Sequence, residues 1–262
     1  MRIALKIAYD GTYFYGYARQ PNLMTVEGLL IKNLKKIGAF KDEKNANFQS
    51  ASRTDKGVNA AGNVIAFNTS LSINRIIKSL NSLLDNIWIL GGIIVNHSFN
   101  PRHANMRWYR YYLYYDTINY KKFEESIHIF EGKHNFKNFA KACNKEPVRT
   151  ISDISLMDKN NVIVIDIKAQ EFLWNQIRRI VAAAKKVGKG IICVDDLKYA
   201  LNNPDKKIDY GIASPNYLLL VDIGYKNIHF EIYEEGFKKL KKIWRFHNYK
   251  VLFLEMIKNA NM

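Results

Sequence analysis

The apolar residues between Ile3 and Val95 change period in the order strand, helix, strand, strand, helix, strand, and few folds accept that order. Ile3, Leu5, Ile7 and Tyr9 alternate with Arg2, Ala4, Lys6 and Ala8, the pattern of a strand with one buried face. From about Thr25 to Ile37 the spacing turns helical: Val26, Leu30, Leu34 and Ile37 form one stripe, with Lys32, Lys35 and Lys36 largely outside it. A short strand near Phe48 to Ala51, a polar loop and a strand through Val64, Ile65, Ala66 and Phe67 follow. Ser72 is placed to cap a second helix carrying Ile73, Ile76, Ile77, Leu80, Leu83 and Leu84, and Ile87 to Val95 reads as a buried strand with Gly91-Gly92 as a bend or bulge. This order predicts a split βαβ, ferredoxin-like lobe, an antiparallel sheet with helices on one face and the other face free to receive RNA.

A second pass of the same order begins after Asn105, with a strand from Met106 to Tyr115 and helices near Lys121 to His128 and Asn135 to Cys143. Strands Ile154 to Met157 and Val162 to Ala169 flank Asp158-Lys159-Asn160-Asn161, a good hairpin turn by composition. Helices near Trp174 to Val187 and Asp195 to Asn202 and a closing strand from Tyr217 to Ile223 complete it. The expected class is α+β, with two ferredoxin-like lobes whose sheets meet around a central basic cleft. Residues 1–104 make the first lobe, 105–227 the second, and 228–262 a basic, mostly helical extension with Lys238, Lys239, Lys241, Lys242 and Arg245 together.

A formal charge of +16, from 40 basic and 24 acidic residues, attracts polyanions and makes nucleic acid the leading partner. No apolar run approaches the ~20 residues that span a bilayer, and Met1-Arg2-Ile3 leads into a strand pattern instead of a secretory signal. Cys143 and Cys193 follow neither a paired-thiol nor a zinc spacing and read as buried, reduced residues of a cytoplasmic protein. The six histidines include no pair at the spacing of a zinc-binding helix, so neither a metal nor another cofactor is expected. Gly188-Lys189-Gly190 lacks the spacing of a phosphate loop and follows a helix, where glycine caps.

The stretch Ser52-Arg53-Thr54-Asp55-Lys56-Gly57-Val58-Asn59-Ala60 crowds a carboxylate, two cations and a Gly between two apolar runs. A carboxylate beside cations can stay ionised against RNA phosphates, while the same residues also suit a capping box or a turn. Arg53 lies two residues before Asp55, where an extended loop gives both side chains one face; it can bind phosphate or merely steady the loop. Arg107-Trp108-Tyr109-Arg110-Tyr111-Tyr112-Leu113-Tyr114-Tyr115 interleaves aromatics and cations, suited to stacking on bases or to a Tyr-rich core strand.

The first stretch resembles the signature loop of the TruA family of tRNA pseudouridine synthases, Gly-Arg-Thr-Asp-x-Gly-Val-His-Ala, with Ser52 and Asn59 as the departures. The likeness continues in order over about residues 2 to 225. It takes in Tyr9-Asp10-Gly11-Thr12 with Phe14 and Gly16, Tyr17 to Gln20 with Tyr17 for the usual Trp, and Phe99 with Arg102. It goes on through Arg107 to Tyr111, His134 to Phe139, Phe172 to Arg178 and Leu218 to Val221. The resemblance implies that Asp55 is the indispensable carboxylate, acting as nucleophile on the sugar or as base for the 2′ proton. It also implies that Tyr109 lies on the target uracil and that Arg178, with Arg179 as the adjacent alternative, pairs with the carboxylate. An Arg within a few ångströms depresses a carboxylate pKa by ~1 to 3 units. Arg53, Arg107, Arg110 and the apolar Leu218 complete the implied substrate contacts, and Lys56 is a backbone-phosphate contact at most. The resemblance further implies a cofactor-free homodimer acting on uridines 38, 39 and 40 of the tRNA anticodon arm. Relatives that act on other RNA positions, and a noncatalytic RNA-binding protein of the same fold, are the alternatives.

Overall fold

The computed structural model describes residues 1–115, 117–141, 146–159 and 162–234. Cys143, the turn residues Asn160 and Asn161 and the basic cluster from Lys238 to Arg245 lie outside them. The described residues form strands and five α-helices in two compact units, Met1–Asn105 joined by the described residues of Leu219–Met262, and Met106–Leu218.

In the first unit β1 (Arg2–Tyr9) is followed by α1 (Val26–Lys36), β2 (Gln49–Ser50), β3 (Asn59–Asn68), α2 (Ile73–Leu83) and β4 (Ile87–Val95). Thr25 caps α1, its hydroxyl accepting the Gly28 amide at 3.3 Å, with Glu27 in the first turn and Lys35 and Lys36 in the last, where their charges match the helix dipole. Gly38, at φ +76°, ends it. Ser72 caps α2 as expected, accepting the Arg75 amide. Both β3 and β4 run antiparallel to β1, and β2 adds two residues to β3. The β1–β4 pairing slips between Lys6 and Ile7, leaving Leu90 as the extra residue beside the expected Gly91-Gly92 irregularity.

The expectation of a free second face on this sheet is overturned. Arg2 and Ala4 are as fully buried as Ile3, Leu5 and Ile7. The Arg2 guanidinium donates to the carbonyls of Phe99 (2.8 Å) and Asn47 (3.1 Å) and to the side chains of Asn68 and Gln49. Burial lowers its pKa. Lys6 pairs with Asp222 at 2.5 Å beneath the Phe230 ring. The chain on either side of the second unit therefore closes over this face, which alternation along β1 alone does not reveal.

The second unit carries β5 (Met106–Tyr114), α3 (Tyr120–His128), β6 (Gly132–Asn135), β7 (Val148–Lys159), β8 (Val162–Ala169), α4 (Gln176–Gly188) and α5 (Val194–Asn202). Its strands lie in the order β5-β8-β7-β6, every neighbouring pair antiparallel. Over its described residues, 135–141, the helix expected from Asn135 to Cys143 is instead the last residue of β6 and a single 3-10 turn, Lys137–Phe139. Phe136 and Phe139 are buried against Phe130, and the Asn138 amide donates to the carbonyls of Ala200 and Asn203. Those tertiary bonds outweigh weak helix propensity. Cys193, expected to be buried, is exposed at the start of α5, where it donates to Asp196.

The expected closing strand forms as β9 (Leu218–Gly224), and Leu219 and Leu220 pair in parallel with Asn59 and Ala60 of β3. The short β10 (Glu231–Ile232) borders β4 at Gly91 and Gly92.

Candidate active site

In the first unit, the residues from Ser52 to Val58 form a loop between β2 and β3, with no helix for Ser52 to cap. Its scaffold is buried and hydrogen-bonded throughout. The Asn63 carboxamide accepts the amides of Ser52 (3.2 Å) and Val64 (2.8 Å) and donates to the Ser52 carbonyl (2.9 Å) and the Tyr9 hydroxyl (3.2 Å). Tyr9 shares a 2.8 Å hydrogen bond with the Thr54 hydroxyl, and the Thr54 carbonyl accepts the Tyr17 amide at 3.0 Å. The Val58 amide closes the turn on the Asp55 carbonyl at 3.2 Å, with Gly57 at φ +82°, a conformation that suits glycine. Against this rigid backing Asp55 is half-buried while Arg53 and Lys56 are exposed. The Lys56 ammonium lies 4.2 Å from the centre of the Tyr15 ring.

Gly11 packs so tightly on Val58 that a methyl group there would overlap the Val58 carbonyl. The β1–β3 register slips between Ile7 and Tyr9, opposite Gly62, and this bulge redirects β3 beside the loop. A side chain at Gly62 would meet the Val221 carbonyl at 2.6 Å, so the glycine admits β9.

In the second unit, alternation along β5 divides its residues between two faces. Arg107, Tyr109 and Tyr111 share one. Tyr109 is buried edge-to-face against Phe172, ring centres 5.4 Å apart, and Arg107 donates to the Gln170 carbonyl. Arg178 sits in the first turn of α4, which starts abruptly after Asn175 at φ 63°. Its guanidinium donates to the Ala213 carbonyl at 2.8 Å and to the Asn175 side chain at 3.2 Å. Tyr111 is raised in pKa by burial, partly opposed by the positive charge of Arg178, and its ring meets Tyr217 beside the buried Leu218. This unit thus gathers Arg178, Tyr111 and Tyr217, and sets Tyr109 on the same strand face.

Arg110 lies on the opposite face from Arg107 and Tyr109. It grips Asp166 with two hydrogen bonds of 2.8 and 2.7 Å, and the Trp108 indole donates to the same carboxylate at 2.7 Å. The bond to Asp166 raises the Arg110 pKa. Asp166, Asn63 and Phe172's contact with Tyr109 were not singled out from sequence. The signal available for Asn63 is an amide set between Gly62 and the apolar run Val64 to Phe67.

Among the described residues no group of three or more His, Cys, Asp or Glu could hold a metal, and no helix is long and apolar enough to cross a membrane.

A family model described as tRNA pseudouridine synthase matches residues 127–226. A tRNA pseudouridine synthase A of Thermococcus sibiricus is 45% identical over 254 residues, covering 95% of this chain and 95% of that protein. This chain belongs to the tRNA pseudouridine synthase A family. Proteins of the same name from Pyrococcus furiosus and Methanobrevibacter smithii are 41% and 37% identical, covering 92% and 89% of this chain and 90% and 86% of theirs. A crystal structure of a Cbf5-Nop10-Gar1 complex aligns with 70% of this chain and 45% of that chain at 13% identity and a TM-score of 0.37.

The departures from the family's usual residues, in the loop and at Tyr17, have structural work. Asn59, where the family usually has His, is fully buried and accepts the Gly11 amide at 2.8 Å. Tyr17, in place of Trp, donates to Ser50 at 2.7 Å, and its burial raises its pKa. Ser52 is buried with both backbone groups on Asn63.

Proposed function

We propose that this chain isomerises uridine to pseudouridine at positions 38, 39 and 40 of the tRNA anticodon arm, with Asp55 as the reacting carboxylate and no cofactor. The observation that carries this reading is a half-buried Asp55 on a loop whose backing, from Tyr9, Thr54, Tyr17 and Asn63, is buried and hydrogen-bonded. Such backing holds a carboxylate in position at little further entropic cost when substrate arrives.

The reaction breaks the bond from ribose C1′ to uracil N1, turns the base and joins C1′ to C5. The C5 proton leaves and N1 gains one, so no atom is added and no donor of energy or electrons is needed. Asp55 acts as nucleophile at C1′ or as base for the 2′ proton. Tyr109 lies on the uracil and assists departure of the C5 proton, and Arg178 serves as the cationic partner of the reacting carboxylate. Arg53 and Arg107 contact the RNA, Leu218 borders the base, and Arg110 works through Asp166 to hold the strand that carries Tyr109. The proposal includes two ferredoxin-like lobes, for which the order β4-β1-β3 with β2 on β3 speaks in the first unit. A cytoplasmic homodimer completes it.

The test is incubation with tRNA tritiated at uridine C5. Release of label into water is expected, with pseudouridine mapped to positions 38 to 40. Binding without release would leave a noncatalytic RNA-binding protein, and release from other positions would move the target within the enzyme class.

A further inference from the structure

The segment from Gly11 to Met24 contains no acidic residue, yet it exposes a run of large apolar side chains. Tyr13, Tyr15, Leu23 and Met24 keep 52, 48, 41 and 53% of their surface in solvent. The segment is no loose loop. Tyr15 and Met24 are joined by an amide–carbonyl bond of 2.9 Å, Gln20 donates to the Tyr15 carbonyl at 2.7 Å, and Val26 donates to the Gly16 carbonyl at 3.2 Å. It is also anchored to the Asp55 loop. Tyr17 donates to Thr54, and Gly16, at φ +101°, packs against the backbone of Thr54, Asp55 and Lys56 so closely that a side chain would crowd the Lys56 amide. Arg53 and Lys56 are exposed beside it, and the Lys56 ammonium rests over Tyr15.

Exposed rings held rigid beside cations, with no acidic side chain in the segment, suit a ligand that brings both flat aromatic faces and negative charge. We propose that Tyr15, with Met24 and Lys56, forms a stacking platform for an unpaired RNA base next to the target nucleotide, the Lys56 ammonium meeting that nucleotide's phosphate. The inference rests on the RNA-modifying reading above and adds to it the surface that holds a neighbouring base. It also changes the part assigned to Lys56, from a lone phosphate contact to one half of an aromatic–cation pair. An enzyme that draws its target out of a stack leaves the adjacent base with an uncovered face, and a ring on the catalytic loop's flank replaces the lost stacking.

The test is tritium release from a full-length tRNA transcript by wild type, Tyr15→Ala, Tyr15→Phe and Lys56→Met, with filter binding of the same tRNA over a salt series, sedimentation and thermal melts of each. Tyr15→Ala is expected to raise KM for tRNA about tenfold with kcat within about twofold, and Tyr15→Phe to keep the wild-type KM, since stacking needs the ring and not the hydroxyl. Lys56→Met should reduce the slope of log affinity against log salt by about one, the signature of one lost phosphate contact. Wild-type KM in Tyr15→Ala with wild-type turnover overturns the platform and leaves the reaction intact. Unchanged KM with altered sedimentation assigns the patch to a second copy and equally overturns it. If wild type releases no label while Tyr15→Ala still weakens tRNA binding, the platform stands and the reaction does not.

Discussion

Asn63→Ala tests whether the reacting loop is held by one buried carboxamide. All four hydrogen-bonding capacities of that side chain are used, and the residue has no exposed surface. Alanine takes the Asn63 partner from three buried backbone groups, the Ser52 amide and carbonyl and the Val64 amide, at about 1 to 1.5 kcal/mol each. The Tyr9 hydroxyl keeps Thr54, so its loss is smaller. The sum is about 4 kcal/mol, and at about 2 to 4 °C per kcal/mol for a chain of this size the midpoint falls by about 8 to 16 °C. The assay is a thermal melt followed by circular dichroism, with Asn45→Ala, an exposed amide, as the control expected within about 2 °C of wild type. Turnover should fall more steeply than tRNA affinity, because the loop loses its register while the basic surface stays. A midpoint within about 2 °C of wild type in Asn63→Ala would refute the claim that this side chain holds the loop.

Gly11→Ala should destabilise by about 3 kcal/mol, since its methyl meets the Val58 carbonyl and not a flexible side chain; a melt unchanged from wild type contradicts that packing. For Arg110 and Asp166, a double-mutant cycle with Arg110→Met and Asp166→Asn should return a coupling of about 1 to 3 kcal/mol, and additive losses would remove the pair from the account. Glu43 is held at a pKa of about 2, against an ordinary 4.5, by hydrogen bonds from Lys35 and then Arg19. A depressed carboxylate stabilises above its unfolded value and loses that contribution as pH falls, so wild type should lose its advantage over Glu43→Gln between about 4.5 and 2 in acid titrations of stability. Parallel titration curves for the two proteins would deny Glu43 that role.

Local rules made the helices of the first unit legible: Ser72 caps α2 where sequence places it, and the apolar stripes of α1 and α2 recur at helical spacing because each carries its helix's buried residues. The free sheet face failed because its cover is distant in sequence. Arg2 is a buried clamp whose partners lie at Asn47, Gln49, Asn68 and Phe99, and no alternation rule anticipates a cation spending itself on carbonyls. The helix expected after Asn135 failed for a related reason, as Asn138 satisfies backbone groups of α5 and its neighbouring turn. In the candidate site, alternation along β5 sets Tyr109 with Tyr111 and Arg107 on one face. It also implies that Arg110 faces away, yet only the position of Asp166 on β8 reveals what Arg110 binds. Asn63 was hidden because its value lies in satisfying Ser52 and Tyr9 at once, a geometric fact with no sequence period.

The most direct measurement compares wild type with Asp55→Asn in tritium release from tRNA labelled at uridine C5, alongside tRNA binding by filter retention. Wild type should release label, and the variant should retain tRNA with near wild-type affinity while releasing none, because one charge at the reacting sugar is lost and the basic surface is not. Label release by Asp55→Asn at a rate near wild type would contradict the central claim.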